Sequence, residues 1–154
     1  MMHRFLGIDY GLKRIGLAVS DPSGLVAREL LVIQRGSNAE DFKRIQQIVA
    51  EQHITALVIG LPPADYAVSG EYTPADRVRT WTQKLVAVIP LPVIFWDEQL
   101  SSVDARELSI RKKRRSRQPI DDLAARIILQ SYLDALRDGL AAPPETIPNT
   151  RSLD

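Results

Sequence analysis

Three carboxylates far apart in the chain, Asp9, Glu98 and Asp121, stand where predicted elements begin or end, and together they offer hard oxygen ligands for a divalent cation. Asp9 follows the apolar run Phe5 to Ile8. Glu98 follows the run Leu91 to Trp96, and Asp121 opens a long stretch of helical apolar spacing. If a fold brings all three to one end of a sheet, they cannot all stay ionised without a compensating charge, because close like charges raise one another's pKa. The chain has no cysteine and only two histidines, so magnesium or manganese suits such a site better than zinc. Gly7, Gly11 and Gly16 remove side chains around Asp9, so that backbone or ligand can approach its carboxylate. Lys13 and Arg14 put positive charge beside it, as a phosphate-bearing ligand next to a metal would require. The same residues are compatible with a plain hairpin in which Asp9 caps a turn and the two bases are solvated.

A second concentration of charge lies further on. Arg111, Lys112, Lys113, Arg114, Arg115 and Arg117 put six positive charges between positions 111 and 117, in a chain whose net charge is only +1. Such a block repels itself and reads as a loop, either a solvated linker or one that meets nucleic acid.

The elements that must position these groups follow from periodicity. Phe5 to Ile8 and Ile15 to Val19 read as paired strands around a loop at 11–14, and 29–34 (ELLVIQ) closes an antiparallel meander. Phe42, Ile45, Ile48 and Val49 recur at helical intervals over 39–52, with Ser37 or Asn38 available as cap. ALVIGL, 56–61, has the unbroken apolarity of a strand covered on both faces, and Pro62 and Pro63 end it before an aperiodic loop at 64–72. A helix over 74–88 buries Val78, Trp81 and Leu85, and LPVIFW is the last strand. A short helix from 101 to 110 and a final one from 121 to 137 complete the set. The order predicts an α/β domain: a mixed five-stranded sheet, a three-strand meander followed by βαβ units, with helices on both faces.

At 154 residues, 45% hydrophobic and 25% charged, the composition is that of one globular domain. Positions 1–138 read as that domain and the proline-rich 139–154 as a disordered tail. No window approaches the roughly 20 apolar residues of a membrane span, so a cytoplasmic protein without membrane contact is expected.

IDYGLKRIGLAVSD, VIGLP, WDEQLSSVDARE and IDDLAARIILQSYLD occur in this order, and the chain they punctuate resembles the YqgF family, also called RuvX. These are pre-16S rRNA nucleases of the RNase H-like superfamily, earlier described as resembling Holliday junction resolvases. The resemblance implies an RNase H-like fold and a nuclease dependent on Mg2+ or Mn2+, with Asp9, Glu98 and Asp121 as catalytic metal ligands and Asp122 as a less favoured neighbour. It implies that Lys13 and Arg14 touch substrate phosphate; the run Arg111 to Arg117, on its charge, would clamp the phosphate backbone. The implied role is in ribosome biogenesis, trimming precursor ribosomal RNA at the 5′ end of the 16S sequence. Four-way DNA junctions are the rival substrate, a non-catalytic nucleic-acid-binding module is the second alternative, and monomer and homodimer both stay open. There are two departures from the family pattern: Gln99 stands where the family carries arginine, and Pro63-Ala64-Asp65-Tyr66 replaces an asparagine-containing segment.

Overall fold

The structure is a computed structural model and describes residues 3–62, 72–97 and 120–144, with the backbone alone at 120–122. Five strands, β1 (Phe5–Tyr10), β2 (Arg14–Ser20), β3 (Ala27–Gln34), β4 (Ala56–Leu61) and β5 (Val93–Asp97), form one sheet in the order β3-β2-β1-β4-β5. The first three pair antiparallel, while β4 joins β1 and β5 joins β4 in parallel. Helices α1 (Asn38–Glu51) and α2 (Pro74–Val88) cover one face, and α3 (Ile120–Arg137) covers the other. The expected mixed sheet with helices on both faces is therefore observed. The short helix expected at 101–110 lies outside the described residues.

Each element begins and ends for a local reason. Ser37 caps α1 by accepting from the Glu40 N–H at 3.2 Å. Thr73 and Asp76 form a reciprocal capping box ahead of Pro74, which needs no N–H in the first turn of α2. His53 stops α1 with a left-handed backbone, φ 55°, where glycine is the usual residue. The β2–β3 turn is pinned by Asp21, whose carboxylate accepts from Ser23 and from the backbone of Leu25 and Val26. These hydrogen bonds, that from Ser23 foremost, hold its pKa down to about 2.

Alternation along the strands sorts side chains into two cores. Leu6, Ile8, Ile15 and Leu17 pack with Phe42 and Ile45 of α1 and with Val78, Trp81 and Leu85 of α2. Trp81 is 3% exposed and lies against Tyr10 and Phe42, a core residue as its spacing predicts. Phe5, Ala18, Ala56 and Val58 face Ala125, Ile128, Leu129 and Tyr132 of α3. Beyond α3 the chain still packs. Tyr132 donates to the Ala142 carbonyl at 2.8 Å, burial lifts its pKa to about 12, and Pro144 is buried. Among the described residues no helix is long and apolar enough to cross a membrane.

Candidate active site at the ends of the parallel strands

Asp9 stands at the carboxyl end of β1, where three parallel strands finish together. Ile8 pairs with Ile59 of β4, and Ile59 pairs with Phe95 of β5. One residue further along these strands come Asp9, Gly60 and Trp96, and Gly60 pairs with Trp96. Phe5, Val58 and Trp96 all belong to the core beneath α3, so alternation puts this row on the α3 face of the sheet. On its other flank Asp9 pairs with Gly16 of β2. The partly buried aspartate thus has glycine beside it on both neighbouring strands, and neither contributes a side chain to the row. Gly16 is one of the glycines that the sequence places around Asp9; Gly60 is not, although a lone glycine inside ALVIGL is a mark of close approach in a strand.

The other two glycines serve the chain's own packing. A Cβ on Gly7 would stand 2.7 Å from the Leu129 Cβ and 3.1 Å from the Ala125 carbonyl oxygen, so this glycine seats α3 directly on β1. A Cβ on Gly11 would stand 2.6 Å from the Arg14 carbonyl oxygen, so this one lets the β1–β2 turn close.

The contact at Gly7 also fixes how α3 runs. Tyr132 meets Phe5 edge-on with ring centroids 5.5 Å apart, and Ala125 and Leu129 lie over Gly7. Two strand residues advance about 6.6 Å, which is a little over four residues of helix at 1.5 Å each. The next such step, from Gly7 to Asp9, therefore reaches the first turn of α3, where Asp121 and Asp122 stand in the chain. The amino end of that helix is also where backbone N–H groups leave a partial positive charge that favours anions.

Of the remaining expected residues, Lys13 is exposed on the turn, whereas Arg14 is the first residue of β2 and not part of the loop. Alternation puts Arg14 on the α3 face, diagonal to Asp9 across the Asp9–Gly16 pair. The two bases are therefore separated: Lys13 at the rim, Arg14 on the face that carries Asp9. Asp97 ends β5 opposite Leu61 and is exposed. Glu98, Gln99 and the run Arg111, Lys112, Lys113, Arg114, Arg115 and Arg117 lie outside the described residues, as do the side chains of Asp121 and Asp122 and the loop at 63–71. Among the described residues no three His, Cys, Asp or Glu side chains gather as a metal site.

Comparison with known proteins gives this arrangement a family. Residues 3–135 match the family described as RuvX: Holliday junction resolvase. A Thermoanaerobacter pseudethanolicus protein named "Putative pre-16S rRNA nuclease" is 38% identical over 139 residues, which cover 88% of this chain and 99% of that protein. One of the same name from Synechocystis sp. is 40% identical over 139 residues, covering 88% and 90%. Among solved structures, T. thermophilus RuvC in complex with Holliday junction substrate superposes with a TM-score of 0.64 at 16% identity, over 91% of this chain and 99% of that one. A second solved structure, described as Thermus thermophilus RuvC structure, gives 0.63 at 15% identity, over the same shares. At such identities the likeness is one of fold, and it is the RNase H-like fold of the resolvases. On the family match and the relatives together, the chain belongs to the RuvX family.

Proposed function

We propose that this protein is a divalent-metal-dependent endonuclease that hydrolyses phosphodiester bonds at the 5′ end of precursor 16S ribosomal RNA. The observation that supports the reading is that Asp9 ends β1 on the sheet face covered by α3, with Ala125 and Leu129 of that helix over Gly7 and Asp121 in its first turn by sequence. The names borne by relatives at 38% and 40% identity support the choice of RNA as substrate.

The donor chemistry fits magnesium or manganese, because the candidate ligands Asp9, Glu98 and Asp121 offer carboxylate oxygen alone. Held by them, the cation would acidify a water and neutralise charge at the phosphate. The chain's own groups do the rest. Lys13 at the rim binds a substrate phosphate, Arg14 adds positive charge on the face of Asp9, and the run from Arg111 to Arg117 holds the RNA backbone without reading its sequence. Cleavage leaves a 5′-phosphate and a 3′-hydroxyl. The protein acts in the cytoplasm, as a monomer or a homodimer.

A second reading, cleavage of four-way DNA junctions, is favoured by the description of the matching family. One experiment separates the two: matched precursor RNA, single-stranded DNA and four-way junctions are incubated with wild type and Asp9→Asn, with and without Mg2+ or Mn2+. RNA is cut only with metal and only by wild type on the first reading, whereas cutting confined to junctions establishes the second. Asp9→Asn should lose cleavage by at least about 100-fold while binding RNA within about two-fold of wild type, since it deletes a metal ligand and no backbone contact. Full activity in Asp9→Asn removes that residue from the chemistry, and binding without cutting in every condition points to a non-catalytic module.

A further inference from the structure

Arg35 follows the last residue of β3, outside every group assigned so far, yet it is the hub of the turn that carries Lys13. Its backbone N–H donates to the Lys13 carbonyl at 3.0 Å. Its guanidinium donates through Nη1 to the Gly11 carbonyl at 3.4 Å, through Nη2 to Asn38 Oδ1 at 2.8 Å and through Nε to Asp41 Oδ2 at 3.1 Å. The same plane lies over the Tyr10 ring, 5.0 Å from its centroid, and Tyr10 is the neighbour of Asp9 in the chain. Asp41 is 2% exposed, and its second oxygen accepts from the Gly36 N–H at 3.1 Å. A guanidinium has a rigid fork of donors, and only such a fork reaches a carboxylate, an amide oxygen and a carbonyl in one plane.

We infer that Arg35 is a positioning residue for substrate binding: it locks the β1–β2 turn to the start of α1, so that Lys13 is presented at a fixed place beside the Asp9 end of β1. The inference rests on the proposed nuclease reading and deepens it. The guanidinium's own bond to the turn ends on the Gly11 carbonyl, while the backbone N–H of Arg35 carries the β2–β3 pairing one step further onto the Lys13 carbonyl, a bond that any residue but proline keeps at 35; the side-chain clamp thus acts through Gly11 and leaves the Lys13 side chain to the substrate. A role confined to stability would need the buried pair with Asp41 and nothing on the turn.

The test is a double-mutant cycle on the full chain with a labelled precursor 16S RNA fragment, read as Kd, as the salt dependence of Kd, and as KM and kcat. Each variant is measured below its own unfolding midpoint. Lys13→Ala should weaken binding about three- to ten-fold and reduce the salt slope by about one. Arg35→Lys keeps the charge but loses the fork; it should raise KM by a similar factor with kcat within about two-fold. Combined with Lys13→Ala it should add almost nothing, because it acts through that residue. Asn38→Ala removes one acceptor without stranding a buried charge, and should give a smaller effect of the same kind. The inference is overturned if Arg35→Lys binds as wild type, if its effect adds fully to that of Lys13→Ala, or if it lowers the salt slope further in the Lys13→Ala background, the sign of a phosphate contact of its own. A wild type that neither binds nor cuts the RNA sinks the nuclease reading itself, and this inference with it.

Discussion

Asp9 owes its prominence to what its neighbours lack. In a central strand almost every position carries an apolar side chain for the core, and Leu6 and Ile8 do so on the α1–α2 face. On the α3 face β1 carries Gly7 and then Asp9, which pairs with Gly16 of β2 and stands one residue past the Ile8–Ile59 pair, the step at which β4 reaches Gly60. If that row is where a phosphate and a cation meet the aspartate, filling it should stop the reaction while sparing the sheet. Gly60→Ala is expected to lower kcat roughly ten-fold, about 1.4 kcal/mol of transition-state stabilisation, and Gly60→Val by about 100-fold. Valine suits a strand, so far-ultraviolet circular dichroism should stay that of wild type. Unchanged turnover in both variants would move the chemistry off this row. Sequence reasoning finds Asp9 because a carboxylate at a strand end is visible in one dimension. It passes over Gly60, because a glycine becomes a neighbour of Asp9 only through strand pairing.

At the scale of elements the decisive contact is α3 on β1. A helix normally stands off a sheet by the length of its side chains, and Gly7 removes that spacer. Gly7→Ala puts a methyl group 2.7 Å from the Leu129 Cβ, which belongs to the helix framework and has no rotamer to escape into. The helix must shift, at a cost of about 1–3 kcal/mol. Because the first turn of α3 moves with the helix, cleavage should fall more than the loss of folded protein explains. Denaturant unfolding and turnover on the same samples check this; a stability loss with unaltered kcat would mean that the placement of α3 does not matter to the reaction. Much of this level is legible in advance. Ser37 and Pro74 mark helix starts, while the Thr73 cap comes only with the structure, and apolar spacing marks α1, α2 and α3. Strand ends are less so: β1 runs on through Asp9 and Tyr10, and β2 begins at Arg14. Pairing, not hydrophobicity, sets those limits, and the longer hairpin is what separates Arg14 from Lys13.

For the whole molecule the issue is how so small a domain holds a long polyanion. The net charge of +1 hides the run from Arg111 to Arg117, which contrasts with acids at the strand and helix ends. On the proposed reading such a distribution would divide the labour: carboxylates would gather a cation at the reacting phosphate while the basic run would hold phosphates on either side. Binding through phosphates reads charge and not bases, which is why the sequence leaves RNA and branched DNA unresolved while the fold itself is plain from its order of strands and helices. Replacing all six bases of the run by glutamine removes that hold without touching Asp9. Each phosphate of a single strand that the protein no longer neutralises lowers the slope of log K against log salt by about 0.7, so a drop of about 2–4 is expected if most of the run is engaged. Affinity at moderate salt should fall steeply and about equally for unrelated RNA sequences. At saturating RNA kcat should hold, since the reacting carboxylates are intact. A slope equal to that of wild type would take the run out of the interface and leave Lys13 and Arg14 to bind the phosphates.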